Sequence, residues 1–128
     1  MVSPTTSSFT PTRSLDTLGW CDHGWGAVMP FLRNAWYIAA WAEEVTDGPI
    51  GRRLLGEKVV LYRLVDGTVV ALEDRCCHRA LPLSMGCVVG DRLQCGYHGL
   101  EYDQTGVCVN VPGQSTIPAG ARIKSYPV

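Results

Sequence analysis

From Phe31 onward, apolar and polar positions alternate in short runs broken by glycine, proline and aspartate. Trp36-Tyr37-Ile38-Ala39 is an aromatic and β-branched run of the kind that fills a pleated surface. Ala42 to Val45 predicts one helical turn, stopped by Asp47-Gly48-Pro49. Lys58 to Val65 and Thr68 to Leu72 are apolar runs around Asp66-Gly67, which predicts a hairpin. Val88-Val89 and Arg92-Leu93-Gln94 flank Gly90-Asp91, a second hairpin. Glu101-Tyr102 and Val107 to Val109 flank a turn at Gln104-Thr105-Gly106, and Arg122 to Val128 reads as a last strand. No stretch sustains roughly ten residues of helical periodicity, and no internal repeat is present. The class is all-β, a small sandwich or barrel.

Residues 1–28 stand apart. Met1 to Pro11 is rich in Ser, Thr and Pro, a composition that buries too little surface to offset its ordering entropy. Leu15 to Val28 adds Trp20, Trp25, Cys21 and His23 without periodicity. The expectation is a disordered tail, or a non-native extension ahead of a start at Met29, followed by one domain over 29–128.

Composition narrows the function classes. The chain has 128 residues, 46% hydrophobic and 18% charged, enough apolar content for one packed core. A net charge of −1 provides no basic field for nucleic acid or anionic membrane. No apolar run approaches the ~18 residues of a membrane span, and the N-terminus resembles neither a secretory signal nor a transit peptide. The expected compartment is the cytoplasm. There, cysteines near histidines read first as metal ligands rather than disulfides. The chain has six cysteines and three histidines, namely His23, His78 and His98.

The chemistry concentrates in two stretches, Asp74 to Gly86 and Gln94 to Leu100. Reduced to ligand types they read C-x-H, sixteen residues, C-x-x-H, through Cys76, His78, Cys95 and His98. Each pair follows an expected strand and lies in a loop containing Gly or Pro. Two such loops at the tips of adjacent hairpins can clamp one site from both sides. A chance pairing is the bland alternative, made poor by two such pairs in one short chain. A structural Cys₂His₂ zinc site is a second, but zinc fingers pair like ligands as C-x₂₋₄-C and H-x₃₋₅-H. One Cys and one His per loop instead suits a binuclear cluster, with two cysteines on one iron and two histidines on the other.

The full motif includes Arg79, Pro82-Leu83-Ser84, Gly86 and Gly99, and it resembles the Rieske family signature. Phe31 to Val128 is similar to the N-terminal domain of Rieske oxygenases of the vanillate demethylase and dicamba monooxygenase type. The residues that carry the likeness are Arg33 to Tyr37, Cys95 to Asp103, Gly106 with Cys108, and Ser125 to Val128. Two features depart from related patterns. Cys77 stands where family members usually have Pro, which places a second thiol beside Cys76. Leu81 and Tyr97 stand where respiratory Rieske proteins have a loop-joining disulfide, so the likeness is to the oxygenase or ferredoxin branch.

The resemblance implies a small Rieske-type sandwich or barrel with two cluster-binding hairpin loops, incomplete at its C-terminus. It implies a [2Fe–2S] cluster on Cys76, His78, Cys95 and His98. Neutral imidazoles in place of two thiolates make added charge easier to bear, hence potentials of about −150 to +300 mV against about −400 mV for all-Cys ferredoxins. Gly86, Gly96 and Gly99 either admit backbone N–H groups to the sulfurs or serve plain turn chemistry. The oxygenases activate O₂ at a mononuclear Fe(II) held by two His and one carboxylate. His23 is the one uncommitted histidine, so that site is expected in a domain outside this chain. The implied partners are a reductase drawing on NAD(P)H or a ferredoxin, the catalytic domain of the same or a neighbouring subunit, and a homotrimer. A free-standing Rieske ferredoxin is the alternative function, and a zinc-stabilised binding module a weaker one. Of the remaining cysteines, Cys87 and Cys108 read as small buried hydrophobes, and Cys21 with His23 as an incidental echo. Trp36 and Trp41 read as core or interface anchors, and Arg79 as a solvated cation or a contact for an acidic partner.

Overall fold

The structure, a computed structural model, describes residues 31, 32 and 34–128. The expectations for residues 1–28 and for a start at Met29 lie outside the described residues, as do Cys21 and His23.

Among the described residues, eight strands form two antiparallel sheets. Sheet A contains β1 (Ile50–Leu54), β2 (Glu57–Arg63), β3 (Val69–Glu73) and β8 (Ser125–Tyr126), in the order β1-β2-β3-β8. Sheet B contains β4 (Cys87–Val89), β5 (Arg92–Gln94), β6 (Glu101–Tyr102) and β7 (Cys108–Asn110), in sequence order. Short 3₁₀ turns occupy Ala42–Glu44 and Leu83–Met85. The described residues contain no helix long and apolar enough to cross a membrane.

The hairpin expected at Asp66-Gly67 joins β2 to β3 in a register running from Val59↔Glu73 to Arg63↔Val69. Gly67 takes a φ of 89°, and the Asp66 carboxylate accepts the Thr68 amide at 2.8 Å. The hairpin at Gly90-Asp91 joins β4 to β5. The Asp103 carboxylate organises the β6–β7 turn by accepting the amides of Thr105 and Val107.

Two sequence readings change, and one strand is new. β1 was not legible, because Gly51-Arg52-Arg53 lacks apolar alternation. It is an edge strand, held by a two-residue turn in which Leu55 and Gly56 both take left-handed φ values, 51° and 82°. Trp36 to Ala39 is not a strand. It has no ladder partner among the described residues, and Trp36 and Ile38 are 80% and 79% exposed. Trp41 is exposed as well, so neither tryptophan anchors the core. Finally, Arg122 to Val128 is not one strand. Arg122 bridges Val107 of the sheet B side, and only Ser125 and Tyr126 pair with β3.

Alternation along β2 divides the interior. Val60 and Tyr62 face sheet B and pack in one cluster with Val70, Leu72, Leu93, Tyr102, Cys108 and Ile123. Val59 and Leu61 point to the other face, with Val45, Ala71 and Tyr126. A cavity of about 940 Å³ lies over that second face, lined by Trp36, Val59, Leu61, Ala71, Tyr126 and Val128. The inter-sheet cluster also contains Cys76 and Cys95, so the metal-ligand candidates sit at the margin of the main core.

Candidate metal centre

Both cysteine loops close with the same pair of backbone bonds. In the first, the Cys76 carbonyl accepts the Ala80 amide at 2.9 Å and the Cys76 amide donates to the Leu81 carbonyl at 2.8 Å. In the second, the Cys95 carbonyl accepts the Gly99 amide at 3.1 Å and the Cys95 amide donates to the Leu100 carbonyl at 2.8 Å. The fourth residue after each cysteine turns the chain with positive φ, 57° at Ala80 and 73° at Gly99. Gly99 is fitted to this position, whereas Ala80 carries a conformational cost there. The second loop joins neighbouring strands β5 and β6, as a hairpin connection does. The first differs, since it carries the chain from β3 in sheet A to β4 in sheet B.

The loops meet through glycine. A Cβ on Gly86 would fall on the Gln94 carbonyl oxygen, and one on Gly96 would lie 2.9 Å from the Met85 oxygen. These two residues therefore set the gap between loops. The amides of His78 and Arg79 favour the thiolate of Cys76, and those of Tyr97 and His98 favour the thiolate of Cys95. A further tie fixes the first loop at its base. The buried Asp74 carboxylate accepts the Ser84 amide and the Ser84 hydroxyl, each at 2.7 Å. Gly51 of β1 leaves room for that pair, since a Cβ there would approach the Ser84 hydroxyl to 2.8 Å.

The structure brings the four candidate side chains together as two like pairs. Cys76 and Cys95 are 3% and 2% exposed, share the inter-sheet core cluster and influence each other's ionisation. His78 and His98 are exposed, with ring centroids 4.8 Å apart and planes inclined by 56°. Tyr97 lies against His98 at 3.8 Å between centroids. Among the described residues, no three His, Cys, Asp or Glu side chains converge on a point where one ion would sit. A single tetrahedral zinc needs that convergence. A binuclear cluster needs only two protein ligands per iron, which the two like pairs supply.

The thiols are electrostatically coupled. Burial opposes ionisation of Cys76. Hydrogen bonds from the Tyr102 hydroxyl, the His78 amide, Cys95 and the Arg79 amide outweigh it and hold Cys76 below the ordinary thiol range. Burial raises Cys95; the Tyr97 amide works against it, and the neighbouring Cys76 adds to it. A bound cation would favour loss of both protons. Tyr102 is fully buried, and burial together with two sulfur partners keeps its hydroxyl protonated far into alkali. Its oxygen lies 3.2 Å from Cys76 Sγ and from Cys77 Sγ, and accepts the Cys77 amide at 3.2 Å. Sequence reasoning missed Tyr102, which lies four residues beyond His98.

Cys77 itself is exposed, in contrast to Cys76. Cys108 is buried, as expected for a strand cysteine. Cys87 is not. It lies exposed in β4, with its Sγ 3.5 Å from the Gln94 side-chain oxygen. Arg79, next to His78 in the chain, is exposed and makes no side-chain ion pair among the described residues.

The Rieske [2Fe–2S] domain profile matches residues 35–127. The iron-sulfur subunit of the toluene-4-sulfonate monooxygenase system of Comamonas testosteroni is 54% identical over 99 residues, covering 77% of this chain and 28% of that protein. The oxygenase component of dicamba O-demethylase from Stenotrophomonas maltophilia is 50% identical over 101 residues, covering 78% of this chain and 30% of that protein. The crystal structure of dicamba monooxygenase bound to dicamba superposes with a TM-score of 0.73 at 49% identity, over 76% of this chain and 29% of that one. The chain thus spans less than a third of the length of these relatives.

Proposed function

Because this chain belongs to the Rieske [2Fe–2S] domain family, we propose that Cys76 and Cys95 hold one iron of the cluster, that His78 and His98 hold the other, and that the domain relays electrons within an oxygenase acting on aromatic substrates. The observation that carries this reading is the pairing of like side chains, two buried thiols and two exposed imidazoles, on loops closed by identical backbone bonds. When bound, the cluster supplies one-electron storage at a potential raised by its neutral ligands.

The protein's own groups do the rest. Cys76 and Cys95 exclude water from the sulfur side of the site, and the amides of His78, Arg79, Tyr97 and His98 spread the negative charge of the thiolates. The exposed rings of His78 and His98 offer their free edges to a partner, and Tyr97 steadies one of them. Asp74 holds the entry of the first loop against the 3₁₀ turn at Leu83–Met85.

Beyond the domain, the reading draws on the relatives. A reductase using NAD(P)H or a ferredoxin would supply the electrons, and a catalytic domain of the same or a neighbouring subunit would hold the mononuclear Fe(II) to which they pass. The assembly is a homotrimer acting in the cytoplasm. The named relatives work on toluene-4-sulfonate and dicamba, which suggests a substituted aromatic substrate here.

Anaerobic loading with iron and sulfide tests the core of this. The expected product is red-brown, with iron and sulfide in the cluster's one-to-one ratio and a rhombic EPR signal on reduction. A colourless protein that binds one zinc per chain would overturn the reading.

A further inference from the structure

We propose that Cys77 is a positioning residue that takes a share of the Tyr102 hydroxyl proton away from Cys76 and thereby lowers the reduction potential of the site. The inference rests on the reading above, in which Cys76 is a cluster ligand and Cys77 is not.

A phenol hydroxyl has one proton to donate. Here it faces two sulfurs at the same distance, 3.2 Å to Cys76 Sγ and 3.2 Å to Cys77 Sγ, and its geometry allows donation to either. Cys77 also grips the oxygen from the other side, through its backbone amide at 3.2 Å. The hydroxyl is therefore held by Cys77 at two points and cannot swing wholly toward Cys76. Tyr102 is fully buried, so no bulk water makes up the difference. A hydrogen bond to a ligand thiolate draws charge from it and favours the added electron. Each fraction of the proton directed to Cys77 withholds that help. Because Cys77 is exposed, its sulfur can be removed without opening the core.

The test is a redox titration of the cluster-loaded chain, comparing the parent with Cys77→Ala, Cys77→Val, Tyr102→Phe and the Cys77→Ala/Tyr102→Phe pair. Cys77→Ala and Cys77→Val should raise the midpoint potential, by a several-fold change in the equilibrium constant for reduction, the scale of one neutral hydrogen bond. Tyr102→Phe should lower it, and in that background Cys77→Ala should have no further effect. An unchanged or lower potential in Cys77→Ala, or an equal shift in both backgrounds, would overturn the proposal while leaving the ligand assignment intact. Loss of the cluster in Cys77→Ala would instead make Cys77 a ligand and overturn the assignment of Cys76 beneath it. If Tyr102→Phe does not load, the deuterium shift of the Fe–S(Cys) stretching band decides. A larger shift in Cys77→Ala than in the parent supports the shared proton, and an equal one refutes it.

Discussion

Ser84 meets Asp74 twice, its amide and its hydroxyl each donating to a different oxygen of the buried carboxylate at 2.7 Å. The pair joins the residue that enters the first cysteine loop to the 3₁₀ turn that leaves it. Asp74→Ala strands both donors and should cost about 2–4 kcal/mol, since hydrogen bonds to a charged acceptor exceed neutral ones. Asp74→Asn keeps the shape and one acceptor and should cost about half as much. Urea unfolding of the cluster-free chain measures both. Equal stability in all three forms would show that the pair does not hold the loop.

The ligand assignment separates five thiol and imidazole positions. Cys76→Ser, His78→Ala, Cys95→Ser and His98→Ala should each abolish the visible absorption of the loaded protein. Cys77→Ser should retain it, because Cys77 is exposed while Cys76 lies against Cys95 in the core. Retained colour in Cys76→Ser with bleaching in Cys77→Ser would exchange the two roles.

Glycine substitutions should sort by what a Cβ meets. At Gly86 it lands on the Gln94 carbonyl oxygen, so Gly86→Ala must push the loops apart. A cost of roughly 3 kcal/mol, together with poor cluster retention, is expected from overpacking of this kind. Gly48 has open space around it and no positive φ, so Gly48→Ala should be neutral within about 0.5 kcal/mol. Thermal melts of the two variants, with iron content, read the contrast directly.

Tyr62 gives the pH prediction. Its hydroxyl is buried with no hydrogen-bond partner among the described residues, and burial, reinforced by the charges of Asp103 and Asp91, pushes its pKa up to about 12. The folded state therefore keeps this proton after the unfolded chain has lost its own near pH 10. Above that point the unfolded state binds fewer protons, so stability falls as pH rises from about 10 to 12, by at most about 1.4 kcal/mol per pH unit. Tyr62→Phe should remove this contribution to the alkaline slope. At pH 7 it should be neutral or stabilising by about 1 kcal/mol, since an unpaired polar atom leaves the core. A destabilised Tyr62→Phe at pH 7 would mean that the hydroxyl has a partner after all.

The sequence was most readable where one residue type has few uses. Two hairpins announced themselves through Asp66-Gly67 and Gly90-Asp91, and the four candidate ligands through spacing alone. β1 was hidden because Arg52 and Arg53 occupy opposite faces of an edge strand, one half-buried and one exposed, so polar residues interrupt both faces of the pattern. Trp36 to Ala39 misled for the converse reason. Aromatic and β-branched residues favour a pleated surface, but pairing requires a partner strand, which no local pattern encodes. Tyr102 was invisible as a site residue because its position reads as an inward-facing strand aromatic. Only the fold shows that its hydroxyl ends at two sulfurs. Cys87 shows the limit of composition, since cysteine is usually buried in strands and this one faces outward.

The route of the chain through the two sheets bears on the order of assembly. Sheet B is a meander whose strands pair only with neighbours in sequence, between Cys87 and Asn110. Its contacts are local, so the loop of Cys95 and His98 can form early. Sheet A takes its last strand from far away, with Ala71 opposite Tyr126. The loop of Cys76 and His78 runs between the sheets and reaches its final place only once they have docked. A folding chain would thus present Cys95 on a finished turn before Cys76 is docked in its final place. Iron delivered at that stage would find half a site, and insertion of a cluster would then have to wait for the sheets to dock.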